Sequence, residues 1–196
     1  MAEVVLFHHV QGLTDGLLAF ADELRAGGHV VHTPDLFDGR TPATIDDGMA
    51  LVRSIGDDVL DTRVDAAVAE LPPGLVYAGF SFGGANAQRL AQTRPGARGA
   101  LLYDAFVSLS ADWSFGPWPP GVPVQVHGMD NDPFFALEGD LDAARELVAA
   151  VGPDTAAVFT YPGDKHLFAD SSLPSYEPAA AALLTARSIE FLDRLG

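Results

Sequence analysis

The sequence predicts an α/β fold: a mostly parallel sheet with helices on both faces, in one compact domain spanning residues 1–196. Three observations predict it. Short apolar runs alternate with longer stretches of helical period, the pattern of strands joined by crossover helices. Glycines and prolines fall between those runs rather than inside them. The chain has 196 residues, 48% hydrophobic and 19% charged, which suits a single globular core.

Val4 to His8 is the first strand, apolar enough to be buried on both faces. A helix follows the Gly12 turn, with Thr14 as its cap and Leu17, Phe20, Ala21 and Leu24 on one face. Gly27-Gly28 stops it, and His29 to His32 forms a second short strand. After a loop from Asp38 to Asp47, one or two helices run from about Ile45 to Leu71, carrying Met49, Val52, Val59, Val64 and Val68. Pro72-Pro73-Gly74 breaks them. Leu75 to Ala78 is a strand that runs directly into Gly79-Phe80-Ser81-Phe82-Gly83-Gly84, and a helix continues to about Thr93. Gly99 to Tyr103 and Val122 to Val126 are further strands, separated by an irregular, aromatic stretch from Asp104 to Gly121. Leu141, Ala144, Leu147 and Val148 mark an amphipathic helix. Ala156 to Tyr161 is the last strand, Pro162 to Pro174 a loop, and Tyr176 to Leu195 the closing helix.

Composition excludes several classes of function. A net charge of −16 repels nucleic acid phosphates and anionic lipid heads, so neither is an expected partner. The absence of cysteine removes disulfides, thiolate metal sites and a cysteine nucleophile. The first residues have no basic segment followed by a long apolar one, so no secretory signal is read, and no run is long enough to span a membrane. The cytoplasm is therefore the default location. Adjacent His8 and His9 on a strand point to opposite faces, which argues against a shared metal ion.

Gly79-Phe80-Ser81-Phe82-Gly83 matches the G-x-S-x-G pattern of a nucleophile elbow, in the strand-to-helix setting that the pattern needs. There the serine sits at strained backbone angles above the sheet edge, and small flanking residues prevent a clash. The following helix N-terminus favours a developing negative charge. A serine hydroxyl needs a base, and an imidazole base needs an acid to orient it. The order serine, acid, histidine recurs here at successive strand ends. Asp130 and Asp132 follow the Val122–Val126 strand, and His166 follows the last strand. Either aspartate is a candidate acid. The Phe82 N–H is the first oxyanion donor by the logic of the elbow.

Over nearly its whole length the chain resembles the dienelactone hydrolase family of α/β-hydrolases. Gly12, the run Pro34-Asp35-Leu36-Phe37-Asp38-Gly39-Arg40, the Gly79–Gly83 elbow, His127-Gly128 with Asp132, and Tyr161-Pro162-Gly163 with His166 and Phe168-Ala169 carry the resemblance. It implies a compact hydrolase without a large lid domain and without a metal or other cofactor. It also favours Asp132, followed by Pro133-Phe134, over Asp130 as the acid, and the Val10 N–H, with Gln11 as a fallback, as the second oxyanion donor. The sequence departs from the family at two points. Its best-known members carry a cysteine nucleophile where Ser81 stands, and an acidic residue where His9 stands.

His9, Arg40 and Tyr103 are candidates for lining the site, with Trp113 and Trp118, beside Phe115, as an apolar wall for a substrate. The expected function is hydrolysis of a small carboxylic ester or lactone by a monomer or small homo-oligomer. The competing expectation is a ligand-binding or interaction protein that uses the same fold without catalysis.

Overall fold

A computed structural model describes residues 1–196. In chain order the elements are β1 (Glu3–Phe7), α1 (Asp15–Ala26), β2 (Val30–His32), α2 (Ile45–Ile55), α3 (Asp57–Ala69), β3 (Val76–Phe80), α4 (Phe82–Thr93), β4 (Gly99–Tyr103), β5 (Val124–Met129), α5 (Asp140–Val151), β6 (Ala156–Tyr161) and α6 (Pro178–Leu195). The six strands form one sheet in the order β2-β1-β3-β4-β5-β6, and every pairing is parallel.

Strand residues alternate between two cores, as a period of two demands. Val5, Phe7, Tyr77, Leu102 and Val126 face α2, α3, α4 and α5. Val4, Leu6, Ala78, Leu101 and Tyr103 face α1 and α6. Burying a side chain such as Leu6 or Phe7 stabilises the fold by about 1.5–3 kcal/mol. No helix is long and apolar enough to cross a membrane.

Local chemistry sets the element ends. The Thr14 hydroxyl accepts the Leu17 N–H at 3.2 Å and starts α1. Gly56, at φ 89°, separates α2 from α3. This break resets the helical phase. Leu60, Val64 and Val68 form the buried stripe of α3, while Val59 and, on α2, Met49 are substantially exposed. Both depart from the apolar face expected of them. The closing helix begins at Pro178, whose missing N–H costs nothing in the first turn. β5 begins after Pro123, which cannot donate to the ladder and only accepts the Ala100 N–H at 2.9 Å.

Because all strands run the same way, the segments after β1, β3, β4, β5 and β6 meet at one carboxyl edge.

Candidate active site

The site is built outward from the turn between β3 and α4. Ser81 occupies that turn with φ 51° and ψ −114°, a strained conformation for a residue with a side chain. Its N–H donates to the Tyr103 carbonyl at 2.8 Å, tying the turn to β4. The turn closes only because its flanks lack side chains. A Cβ on Gly79 would strike the Gly83 carbonyl, and one on Gly83 would strike the carbonyls of Phe7 and His8. Phe82 is the first residue of α4, so its N–H has no acceptor within the helix.

His166, in the loop after β6, reaches Ser81. Its Nε2 lies 2.9 Å from Ser81 Oγ, and its Nδ1 lies 2.7 Å from Asp132 Oδ2. With Nδ1–H donating to the carboxylate, Nε2 is left to accept the serine proton. The other Asp132 oxygen accepts the N–H groups of Phe134 at 2.8 Å and Phe135 at 3.3 Å. Asp130 is turned away, exposed, and accepts the Gly163 N–H at 3.1 Å as a loop brace. Burial works against a charged His166 imidazole, but the Asp132 hydrogen bond and the charges of Asp104, Asp132 and Asp140 outweigh it. The imidazole therefore holds a proton to a higher pH than an ordinary histidine.

The segment after β1 faces the elbow. Val10 lines the same cleft as Ser81, and its N–H makes no hydrogen bond to the backbone. The Gln11 N–H is already given to His9 Nδ1 at 3.2 Å, which leaves Val10 as the available donor. The Val10 carbonyl rests against α2 at Gly48, where a Cβ would collide with it. The cleft has a volume of about 370 Å³, with Ile45, Met49, Phe82 and Phe134 among its apolar walls and Glu138 and Asp140 as polar members.

The five residues expected to contact substrate do not line this cleft. His9 is fully buried and donates from Nε2 to Asp170 at 2.8 Å. Tyr103 points into the opposite core, with its hydroxyl 2.9 Å from Ser188 Oγ. The guanidinium of Arg40 turns back to the Phe37 carbonyl at 2.8 Å. Trp118 packs in the core and donates to the Val122 carbonyl at 2.8 Å, while Trp113 is 75% exposed. The wall comes instead from α2 and from the segment between β5 and α5.

Asp104, directly after β4, was not among the expected residues. It lines the cleft, and one of its carboxyl oxygens lies within 4.8 Å of donor atoms of both Asp132 and His166. The three resemble a metal-ligand set, but both His166 nitrogens are already engaged by Asp132 and Ser81.

The dienelactone hydrolase family model matches residues 1–196. The chain belongs to the dienelactone hydrolase family. This member of the dienelactone hydrolase family carries serine at its elbow. A protein from Klebsiella pneumoniae subsp. pneumoniae MGH 78578, held to be a dienelactone hydrolase, superposes with TM-score 0.75 at 18% identity, covering 99% of this chain and 87% of its own. A dienelactone hydrolase-like promiscuous phosphotriesterase, P91 from metagenomic libraries, superposes with TM-score 0.73 at 19% identity, covering 100% and 87%. The dienelactone hydrolase of Anabaena variabilis ATCC 29413 gives TM-score 0.65 at 18% identity, covering 98% and 86%. At such identities the likeness is one of fold. No curated protein sequence matches significantly.

Proposed function

We propose that residues 1–196 form one serine hydrolase domain that cleaves a small, uncharged carboxylic ester or lactone. The observation that carries this reading is the relay from Ser81 through His166 to Asp132, with contacts of 2.9 and 2.7 Å. Ser81 Oγ attacks the carbonyl carbon as its proton passes to His166 Nε2. Asp132 holds the ring in the tautomer that can accept that proton and stabilises the imidazolium. The N–H groups of Phe82 and Val10 receive the oxyanion, each contributing about 3 kcal/mol to the transition state. The imidazolium protonates the leaving alkoxide, and the acyl-enzyme is hydrolysed by a water that His166 deprotonates.

The cleft favours uncharged substrates. Its walls are mainly apolar, its carboxyl-bearing members Asp104, Glu138 and Asp140 are acidic, and no lysine or arginine lines it. An anionic acyl or alcohol group would meet repulsion there without a partner.

The test is labelling by a fluorophosphonate, with the modified peptide located by mass spectrometry. Rapid labelling of Ser81, lost in Ser81→Ala and slowed by at least about 10³-fold in His166→Ala, is the expected result. A folded wild-type protein that takes no label overturns the reading.

A further inference from the structure

One buried acid in the site has no part in the steps above. Asp104 is 2% exposed, and neither of its carboxyl oxygens has a hydrogen-bond partner. The other acids around the carboxyl edge are employed differently. Asp132 accepts from Phe134 and Phe135, Asp140 accepts the Phe106 N–H at 2.9 Å, and Asp35 accepts the Phe37 N–H at 2.8 Å. An aspartate at a turn ordinarily satisfies a backbone N–H in this way. Asp104 does not, although it also carries the strained φ of 54°.

The sheet sets its place. Asp104 follows β4, the strand between β3, which delivers Ser81, and β5, which delivers Asp132. Its own N–H donates to the His127 carbonyl at 2.7 Å, and the preceding carbonyl, of Tyr103, receives the Ser81 N–H at 2.8 Å. Pairing on both sides thus holds a carboxyl without hydrogen bonds within 4.8 Å of a ring nitrogen of His166 and a carboxylate oxygen of Asp132.

We propose that Asp104 is a second acid for His166, a positioning residue whose carboxyl charge sets how readily the imidazole takes the Ser81 proton. The proposal rests on His166 acting as the base. Burial pushes the Asp104 carboxyl up to about 7, the His166 charge opposes that rise, the Asp132 charge adds to it, and the nearby Leu167 N–H softens it without a well-formed hydrogen bond. The titratable groups facing Asp104 are His166 from the loop after β6, Asp132 from the loop after β5, and Tyr161 from β6. Two charge states follow. With Asp104 protonated, His166 is supported by Asp132 and Asp140. With Asp104 ionised, an imidazolium gains a further negative neighbour. The carboxyl and the imidazole therefore titrate as a pair.

The test is an NMR titration of the wild type and Asp104→Asn, using carboxyl-carbon and imidazole resonances. Asparagine keeps the shape and tolerates the left-handed backbone. In wild type, the Asp104 side-chain carboxyl carbon is expected to titrate near neutrality, with a matching inflection at His166. In Asp104→Asn, His166 is expected to titrate about one pH unit lower. The acid limb of kcat/KM for a p-nitrophenyl ester is expected to move down with it, which a merely structural role would not cause. A folded variant with His166 titrating as in wild type overturns the proposal. So does a wild-type His166 that shows no inflection where Asp104 titrates, a result that needs no variant to fold. Failure of the hydrolase reading is seen separately, as absence of fluorophosphonate labelling.

Discussion

His9 and Asp170 form a buried pair, 2.8 Å apart, that joins the segment after β1 to the segment after His166. The Asp170 carboxylate also accepts from the Thr14 hydroxyl, and from the N–H and hydroxyl of Ser172 at 2.9 and 2.6 Å. One carboxylate therefore braces the start of α1, the segment bearing Val10 and the loop bearing His166.

This brace makes stability depend on acid. Burial opposes the Asp170 charge, but its hydrogen bonds to His9, Ser172 and Thr14 prevail and hold the carboxyl down to about 2. A group lowered in the folded state stabilises it above its unfolded value, near about 3.9, and loses that contribution as pH falls through the folded value. Thermal melts of wild type and Asp170→Asn are expected to differ by roughly 2 kcal/mol at neutral pH and to converge between about pH 4 and pH 2. Equal melts at neutral pH would refute the brace.

The two aspartates after β5 are expected to separate kinetically. The Asp132 carboxylate hydrogen-bonds His166, whereas the Asp130 carboxylate accepts the Gly163 N–H instead. Asp132→Asn leaves the ring without its acid, and kcat on a p-nitrophenyl ester is expected to fall by about 10²–10⁴-fold. Asp130→Asn is expected to change kcat less than about threefold while lowering the melting temperature slightly.

Gly48 offers a way to disturb the proposed oxyanion donor from outside the site. The Val10 carbonyl leaves no space for a methyl group on α2, so Gly48→Ala must push residue 10 and α2 apart, and the adjoining His9–Val10 peptide that carries the proposed donor is expected to shift with residue 10. A shift of about 1 Å at an oxyanion donor costs on the order of 10²-fold in rate. The expected signature is a lower kcat with little change in KM, measured on a folded variant. An unchanged kcat would count against the Val10 N–H as a donor.

Charge on the substrate supplies a further check. With Glu138 and Asp140 beside the cleft and no lysine or arginine in its lining, a neutral butyrate ester is expected to outperform the corresponding hemisuccinate by at least about tenfold in kcat/KM at low salt. Salt is expected to narrow the gap. A preference for the anionic ester would count against the uncharged-substrate reading.

Much of this arrangement was legible in the sequence because strand ends are legible. Ser81 was marked by its glycine-flanked turn, and the pair Asp130 and Asp132, with His166, by following apolar runs in the order that a parallel sheet brings together, while the family resemblance favoured Asp132 of the two. The sheet edge itself was thus readable, but side-chain direction was not. His9 and Tyr103 lie within a residue or two of the edge, yet they turn to Asp170 and Ser188, partners 161 and 85 positions away in the chain. No local pattern encodes such contacts. Trp113 and Trp118 suggested an aromatic wall by composition alone, and the loop carries one outward and folds the other into the core. Asp104 did leave a signal, an acid immediately after the fully apolar Gly99–Tyr103 run. With 27 acidic residues in the chain, that signal needed the strand order to acquire meaning.

The hold on Asp132 has a consequence for how this protein can diversify. The N–H groups of Phe134 and Phe135 secure the acid through the main chain, which every residue but proline provides. The Phe134 side chain, in turn, sits 4.8 Å from the His166 ring and walls the cleft. Support of the acid and shape of the cleft are thus assigned to different atoms of one residue. On the proposed function, mutational drift at position 134 is expected to remodel substrate range while the relay stays intact, so this position is where a library for altered selectivity should begin.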